Sequence, residues 1–448
     1  MLARTVMCLL LLGSRMVQQS MRNILGPLLI FMGADLTIGI AQKGSLLSAI
    51  AAGYFFTQVP GGALADRFGA KNVMTGALLI SALCCLAVPT AADRYGLNGM
   101  WTMIACMGAA QGPLFPASAV FLSRWMPKTK DGPDEKAWGT AMLDIGVSLG
   151  SLIVIPLSNV LADSLGWRNT YHAIGLGALG FVALWHVLAS ESPRNCNFIS
   201  DVERNFLQKN VSKFKPAPTG MDANAGGGLF ERLVGLPLAV AMHPALWAVF
   251  VAHIAFNFGA YYMTNWNPTY YTDVLRMSPA TAKYHLSMPH MSNLASKALN
   301  PTLVALAQRH GVSLVGSRRL FTTTGFLLAA AALLCVYSAR EMNPWMSTML
   351  FSLANSFFGL APSGFKTNYL DITERHVGII SGYGNTLGTL ASWAGPQLVA
   401  MLLQHYDSWA LVLSVVAFSN VSASLFYMAF ATVTPIEQLV EARVKRID

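Results

Sequence analysis

The sequence predicts an all-α membrane protein: twelve transmembrane helices in two six-helix bundles, with both termini cytoplasmic. Three observations predict it. Apolar residues make up 54% of the 448 positions and charged residues only 11%, against about a quarter charged in a soluble domain, and the mean hydropathy is +0.47. Uncharged stretches of membrane-crossing length recur along the chain and are interrupted by one long polar segment, 191–242. Lys and Arg gather in the loops that a twelve-span count places on one side.

Roughly 20 apolar residues are enough to span a bilayer. On that criterion the spans lie near 5–32, 44–64, 72–92, 98–123, 136–162, 169–190, 243–272, 282–307, 318–338, 345–369, 376–403 and 409–432. They fall six and six around the polar segment, where 213–228 is a Pro- and Gly-rich linker. The expected organisation is therefore a first bundle at 1–190, a cytoplasmic linker at 191–242, a second bundle at 243–432 and a tail at 433–448.

The net charge of +9 suggests nucleic acid only until it is sorted. Of 30 Lys and Arg, twenty fall in the termini and loops assigned to the cytoplasm. Six (Lys43, Arg94, Arg168, Arg276, Lys283 and Arg340) fall in the opposite loops, and four lie inside spans. That is the positive-inside pattern, and no basic patch with interleaved aromatics is left over. The cysteines (Cys8, Cys84, Cys85, Cys106, Cys196 and Cys335) show neither a disulfide framework nor metal spacing and are read as packing residues. No nucleotide loop or haem motif is present, so neither cofactor nor metal is expected.

Arg4 followed by Val6 to Leu12 has the look of a secretory leader. However, Arg15, Gln18, Gln19 and Arg22 recur at i, i+3, i+4 and i+7, one polar face of a single helix whose other face stays apolar through Phe31. The segment is read as the first span. Similar stripes follow: Asp144, Ser148 and Ser151 in span 5; His253, Asn257, Tyr261 and Asn265 in span 7. Span 8 has His290, Asn293, Lys297 and Asn300, and span 10 has Ser352, Asn355, Ser356, Ser363 and Lys366. Polar side chains in hydrocarbon cost several kcal/mol each, so they must face protein or a water-filled cavity. Several such stripes imply a polar cavity between two bundles.

The ionisable residues read as buried within the bundles are few: Arg15, Arg22, Asp144, His253, Lys297 and Lys366. Cations outnumber the single carboxylate, so an anionic ligand is expected, with Arg22 the leading candidate because a guanidinium grips carboxylate or phosphate through two parallel bonds. A structural pair with Asp144 is its alternative. Lys366, near the cytoplasmic end of its span, is expected to snorkel, and His253 is weighed as a helix-packing histidine against a ligand.

Between spans 2 and 3 runs Gly62-Ala63-Leu64-Ala65-Asp66-Arg67-Phe68-Gly69-Ala70-Lys71, a sharp charged hairpin between two apolar runs. Its spacing, G-x-L-A-D-R-x-G-x-K, resembles the helix 2–3 loop of major facilitator superfamily transporters. Further pieces resemble the anion:cation symporter branch, which includes sialin, the vesicular glutamate transporters and plant plastid phosphate and ascorbate transporters. They are Gly53-Tyr54, Gln58-Val59-Pro60-Gly61-Gly62, Phe115-Pro116-Ala117, Trp125-Met126-Pro127, Gly166-Trp167-Arg168 and Ser192-Pro193. The second half adds Asn265-Trp266-Asn267-Pro268-Thr269-Tyr270-Tyr271, Asn368-Tyr369-Leu370-Asp371-Ile372 and the run from Gly378 to Asn385-Thr386.

The resemblance implies the major facilitator fold and alternating access. Counted back from Gly53-Tyr54, Arg22 falls on the family's first-span substrate arginine. Departures are also visible. In the span-4 pattern R-x-x-x-G-x-G-E-G-x-x-x-P the arginine position is Ile104, and the glutamate implicated in proton coupling is Gln111. Phe256 stands where vesicular members carry arginine, Tyr369 stands at the span-10 histidine position, and Asp144 stands where a neutral residue is expected.

The resulting expectation is a secondary transporter, not an enzyme, moving a small anion such as phosphate or an organic carboxylate, with Na+ or H+ as candidate co-ion. Arg22, Lys297, Gln111, Tyr261 and Asn257 would bind substrate; Asp144 would couple. Gly62, Asp66, Arg67, Gly69, Lys71 and Asp371 would gate, with gate chemistry concentrated in the first half, because the matching loop after span 8 keeps only Arg318-Arg319. A monomer in a lipid bilayer is expected. The alternatives are a facilitator of neutral sugars or drugs, a non-transporting receptor or scaffold and, least of all, an intramembrane enzyme, for which no acid/base pair or HExxH spacing appears.

Overall fold

A computed structural model describes residues 2–36, 38, 40–127, 134–211, 235–339 and 343–444. The expected linker 213–228 and Arg340 lie outside them. The described residues are overwhelmingly helical and contain no strand. The first half comprises α1 (Ala3–Asn23), α2 (Leu25–Asp35), α3 (Ile40–Phe68), α4 (Ala70–Gln111), α5 (Leu114–Trp125) and α6 (Glu135–Leu188), followed by the amphipathic α7 (Asp201–Asn210). After the short α8 (Leu238–Ala241) come α9 (Pro244–Asn265), α10 (Asn267–Asp273), α11 (Pro279–Arg309), α12 (Leu314–Ala339), α13 (Pro344–Leu360), α14 (Pro362–Asn368), α15 (Val377–Tyr406), α16 (Trp409–Phe430) and α17 (Ile436–Val444).

Five helical stretches among the described residues are long and apolar enough to cross a membrane: Ala70–Trp125, Glu135–Leu188, Pro244–Asn265, Leu314–Ala339 and Trp409–Phe430. The first two run 56 and 54 residues, well over one bilayer thickness at 1.5 Å per residue. Each is sharply broken at a glycine with positive φ, Gly96 (60°) in α4 and Gly166 (79°) in α6. Elsewhere the sequence writes its own helix starts. Ser278, Asn343 and Ser408 accept first-turn N–H bonds from Thr281, Trp345 and Leu411, and Pro279 and Pro344 follow the first two caps directly. The outward surface is apolar: Phe56, Val187, Phe418 and Leu425 are largely exposed, which suits lipid rather than water.

The chain folds into two compact units. The first is Met1–Pro127, Met142–Thr219 and Arg375–Gly382; the second is Lys128–Ala141, Gly220–Glu374 and Tyr383–Asp448. The first turns of α6 therefore belong to the second unit, and the first turns of α15 to the first.

Within the first unit, helices approach through glycine. A Cβ on Gly53 would lie 1.9 Å from the Ala105 carbonyl oxygen, and one on Gly108 2.1 Å from that of Ile50, so α3 and α4 pack backbone to backbone. Gly146 and Gly150 of α6 do the same against Leu12 and Met16 of α1. Small residues at such seams let van der Waals packing act where no hydrophobic drive separates helix from lipid.

Candidate functional site

The α1–α6 seam fixes where the first polar stripe goes. Gly146 and Gly150 bring α6 against α1 at the turns that carry Arg15 and Gln19. Arg15 is hydrogen-bonded to Gln18 one turn on. Gln19 Nε2 donates to Asn23 Oδ1 (3.1 Å), and Asn23 Nδ2 to Ser151 Oγ of α6 (2.9 Å). Asp144 lies within charge range of Arg15, and so does Arg22. The described contacts include no ion pair between Arg22 and Asp144, and the charge of Asp144 is felt at Arg15.

Arg22 is half-buried, and its guanidinium carbon sits 4.9 Å from the ring centre of Tyr54 on α3. Among the described residues it makes no hydrogen bond or ion pair. A guanidinium over an aromatic ring keeps N–H donors available for a ligand. Gln111 ends α4, where Gly112 abuts the Tyr54 carbonyl. Its side chain is fully buried, and neither amide atom finds a partner among the described residues.

In the second unit, the α9 stripe divides. His253 is tied to Tyr369, its Nδ1 lying 2.9 Å from the tyrosine hydroxyl, while half-buried Asn257 and Tyr261 make no side-chain hydrogen bond among the described residues. The stripes of α11 and α13 turn out to be largely helix–helix contact rather than cavity lining. Ser292 Oγ donates to the Ser352 carbonyl (2.7 Å), Asn293 Nδ2 to that of Asn355 (2.7 Å), Asn300 Nδ2 to that of Gly359 (2.8 Å) and Asn355 Nδ2 to that of Pro289 (3.0 Å). Such bonds are the usual polar glue between membrane helices. Lys297 lies on α11 within charge range of His290. Lys366 does not extend away from the helix bundle as a snorkelling side chain would; its ammonium rests 4.7 Å from the ring centre of Phe256.

The hairpin is more specific than its charges suggested. Gly69 makes the turn at φ 97°. Asp66 is buried, and its two carboxylate oxygens accept the N–H groups of Gly378 (2.9 Å) and Ile379 (3.0 Å) in the first turn of α15. Those donors have no intrahelical partner, and the helix dipole favours an anion there. The approach requires glycine on both sides, because a Cβ on Gly62 would lie 2.1 Å from the Gly378 carbonyl oxygen and one on Gly378 2.2 Å from that of Gly62. Lys71 contributes its backbone rather than its ammonium. Glu191, just beyond α6, accepts from Ala70 N (2.9 Å) and Lys71 N (2.7 Å), and it also pairs with Arg124. Arg67 is exposed over Phe68. The sequence reading missed Glu191; the only signal nearby was Ser192-Pro193.

Burial pushes the Asp66 carboxyl up from its ordinary 3.8 to about 6, against the lowering effect of the two backbone bonds and of His376 and Arg124. A carboxyl raised in the folded state contributes stability that is full below the unfolded value and is lost as pH rises through the folded one. The thermal stability of purified protein is therefore expected to decline between about pH 4 and pH 6, and Asp66→Asn to flatten that part of the profile. An unchanged slope in the variant would assign it to other groups.

The second unit holds a buried charge cluster of its own, around the Arg318 of the Arg318-Arg319 pair. In the second unit Arg318 is fully buried; its Nε donates to Asp371 Oδ2 (2.9 Å), and the guanidinium also pairs with Asp134. Lys136 Nζ donates to Asp371 Oδ1 and to the Leu370 carbonyl, both at 2.8 Å. Lys136, one of the twenty cations assigned to the cytoplasmic side, and Asp134 stand at the start of α6. They close a four-charge cluster with Arg318 and Asp371, the latter just past the end of α14. Among the described residues no His, Cys, Asp or Glu group is arranged to hold a metal.

These helices, the hairpin and the cationic first-span face define a membrane carrier. The chain matches the Major Facilitator Superfamily over residues 11–396 and belongs to that family; it is an integral, multi-pass membrane protein. It is 26% identical to "Probable anion transporter 6" of Oryza sativa subsp. japonica over 404 residues, covering 88% of this chain and 89% of the relative. It is 27% identical to sialin of Homo sapiens over 402 residues, covering 87% and 75%. Among solved structures, the proton:xylose symporter XylE bound to 6-bromo-6-deoxy-D-glucose superposes with a TM-score of 0.70 at 15% identity, over 97% of this chain and 98% of that one. At that identity the likeness speaks for the fold.

Proposed function

We propose that the protein is a secondary active transporter of a small anion, inorganic phosphate or an organic carboxylate, working by alternating access of two six-helix bundles with Na+ or H+ as co-ion. The observation that carries the reading is Arg22, a half-buried guanidinium over the Tyr54 ring, with no carboxylate or hydrogen-bond partner among the described residues. A half-buried cation with only a ring for company leaves its charge and N–H donors without an anion, and an incoming carboxylate or phosphate supplies one through bidentate bonds. The names of the relatives, an anion transporter and sialin, agree with an anionic cargo.

Gln111 in the first unit, and Asn257, Tyr261 and Lys297 in the second, are the further substrate contacts in this reading. Gln111 is neutral where a carboxylate would repel an anion. Asp144, beside Arg15, is the candidate coupling carboxylate. Gly62, Asp66, Arg67, Gly69, Lys71 and Asp371 serve the gates. Twelve spans with cytoplasmic termini, divided as 1–190, 191–242, 243–432 and 433–448, complete the arrangement and follow from the sorting of Lys and Arg.

Purified protein in liposomes, offered labelled phosphate, glutamate and sialic acid under imposed Na+ or pH gradients, tests the proposal. Saturable uptake of at least one anion is expected. Arg22→Gln should weaken the apparent affinity about 10- to 100-fold, the equivalent of one charge-assisted contact. Unchanged affinity in that variant, or uptake of a neutral sugar in place of the anions, would reject the anion site.

A further inference from the structure

Three helices of the second unit converge on one titratable side chain that the proposed cycle leaves unused. His253 lies midway along the 22-residue α9 and is 1% exposed. Its Nδ1 is 2.9 Å from the hydroxyl of Tyr369, the residue that caps α14 and is itself 1% exposed. The third helix, α15, is shaped around this pair. A Cβ on Gly384 would fall 1.7 Å from the Tyr369 hydroxyl, and one on Gly388 would fall 2.2 Å from Asn257 Nδ2 and 3.3 Å from the His253 ring. Two glycines one turn apart thus leave space for the polar ends of the pair.

Around the two residues the walls are aromatic: Phe365 lies 5.5 Å from the His253 ring and Phe326 6.2 Å from Phe365. Charged and titratable groups among the described residues come close from two neighbouring helices. From α14 comes Lys366, whose ammonium lies over Phe256, one turn along α9 from His253. From α16 comes Tyr427, in charge range of Tyr369 and hydrogen-bonded to Asn368 Nδ2 at 2.9 Å. Arg318 and Asp371 lie beyond them, in charge range of Tyr427. Asn257 and the two glycines add uncharged lining.

We propose that the His253–Tyr369 pair is the proton-carrying site of this transporter, distinct from Asp144, and that it reports its protonation to the Asp371 cluster. The chemistry follows from donor counting. Neutral imidazole has one donor and one acceptor nitrogen, so the bond to tyrosine can run either way. Once a proton is bound, both nitrogens donate, and the bond has a single direction, from Nδ1–H to the tyrosine oxygen. The tyrosine hydrogen must then leave the ring and find another acceptor. One proton enters from the aqueous side to form imidazolium and one leaves to restore the neutral ring, so the cycle balances. The signal has a short path, because the residue after Tyr369 is Leu370, whose carbonyl accepts from Lys136 Nζ, and the next is Asp371. Imidazole also titrates in the range where a proton gradient operates.

The proposal rests on the anion-transport reading, and its test separates the two. Full-length protein is reconstituted in liposomes containing a pH-sensitive dye, with phosphate, glutamate and sialic acid as successive probes. Wild type is expected to carry protons inward with the anion. His253→Gln should still exchange anion at equal concentrations on both sides but move no protons, and Tyr369→Phe should shift the pH midpoint of uptake by about one unit. In parallel, protein labelled with nitrogen-15 histidine is titrated between about pH 5 and 8. The resonance missing in His253→Gln should titrate, and Tyr369→Phe should alter its nitrogen shift.

Four results would overturn the proposal: proton movement in His253→Gln equal to wild type; proton movement abolished by Asp144→Asn but not by His253→Gln; anion moved by wild type without protons; or a His253 ring that keeps one protonation state throughout. If wild type moves no anion, the transport reading itself fails, and the titration still decides the behaviour of His253.

Discussion

Replacing Arg318 with methionine is expected to be the most destabilising single change in the second unit. The guanidinium is fully buried and serves Asp134 and Asp371 at once. Removing it leaves Asp134 without its cation and Asp371 with Lys136 alone. Breaking a buried ion network from one side costs about 3–5 kcal/mol, because the stranded charges remain desolvated. A lowered midpoint of thermal unfolding in detergent measures the loss. The compensating variant separates pairing from packing: Arg318→Met combined with Asp134→Asn removes the charge that would be stranded and should recover part of the midpoint. Equal midpoints for the single and double variants would mean that Arg318 acts through volume rather than charge.

The second large effect is expected at a position with no side chain. Gly62→Val, or Gly378→Ala on the facing strand of backbone, places carbon about 2 Å from a carbonyl oxygen that cannot rotate away. The two backbones must separate. Overpacking of this kind costs about 1–3 kcal/mol, but the functional loss should be larger. The same separation draws Asp66 away from the N–H groups of Gly378 and Ile379, now at 2.9 and 3.0 Å. Uptake by reconstituted Gly62→Val should fall at least about tenfold, the equivalent of 1.4 kcal/mol on the closed arrangement. Asp66→Asn keeps the glycine contact and one acceptor, and should be milder. Uptake by Gly62→Val equal to wild type would exclude the contact from the cycle.

Much of the fold was legible because its signals are local. Apolar runs, Gly–Pro breaks and the side on which Lys and Arg collect can each be read within about 20 residues. The α1 stripe was legible for the same reason, since Arg15, Gln18, Gln19 and Arg22 announce one helix face by spacing alone. What escaped was pairing over distance. Lys136 and Arg318 looked like two loop charges among twenty, yet they meet on Asp371, separated from it by 235 and 53 positions. Glu191 escaped because two of its partners are backbone N–H groups, which every residue but proline possesses, and the third, Arg124, is remote in the chain. The stripes of α11 and α13 misled in the opposite sense: helical periodicity shows that asparagines share a face, but not whether that face meets water or another helix. His253 and Tyr369 were both noticed, one as a stripe member and one as a departure; only the fold shows that they touch.

The cap that Glu191 places on Ala70 and Lys71 has a consequence for the information the hairpin carries. A carboxylate bound to two amide hydrogens reads the course of the chain and is blind to the side chains attached to it. At position 71 this bond asks for a conformation and an available hydrogen, which any residue but proline can supply. The meaning of the hairpin is held instead in Gly62, Gly69 and the remote Glu191, where a change of one letter alters the path of the backbone itself.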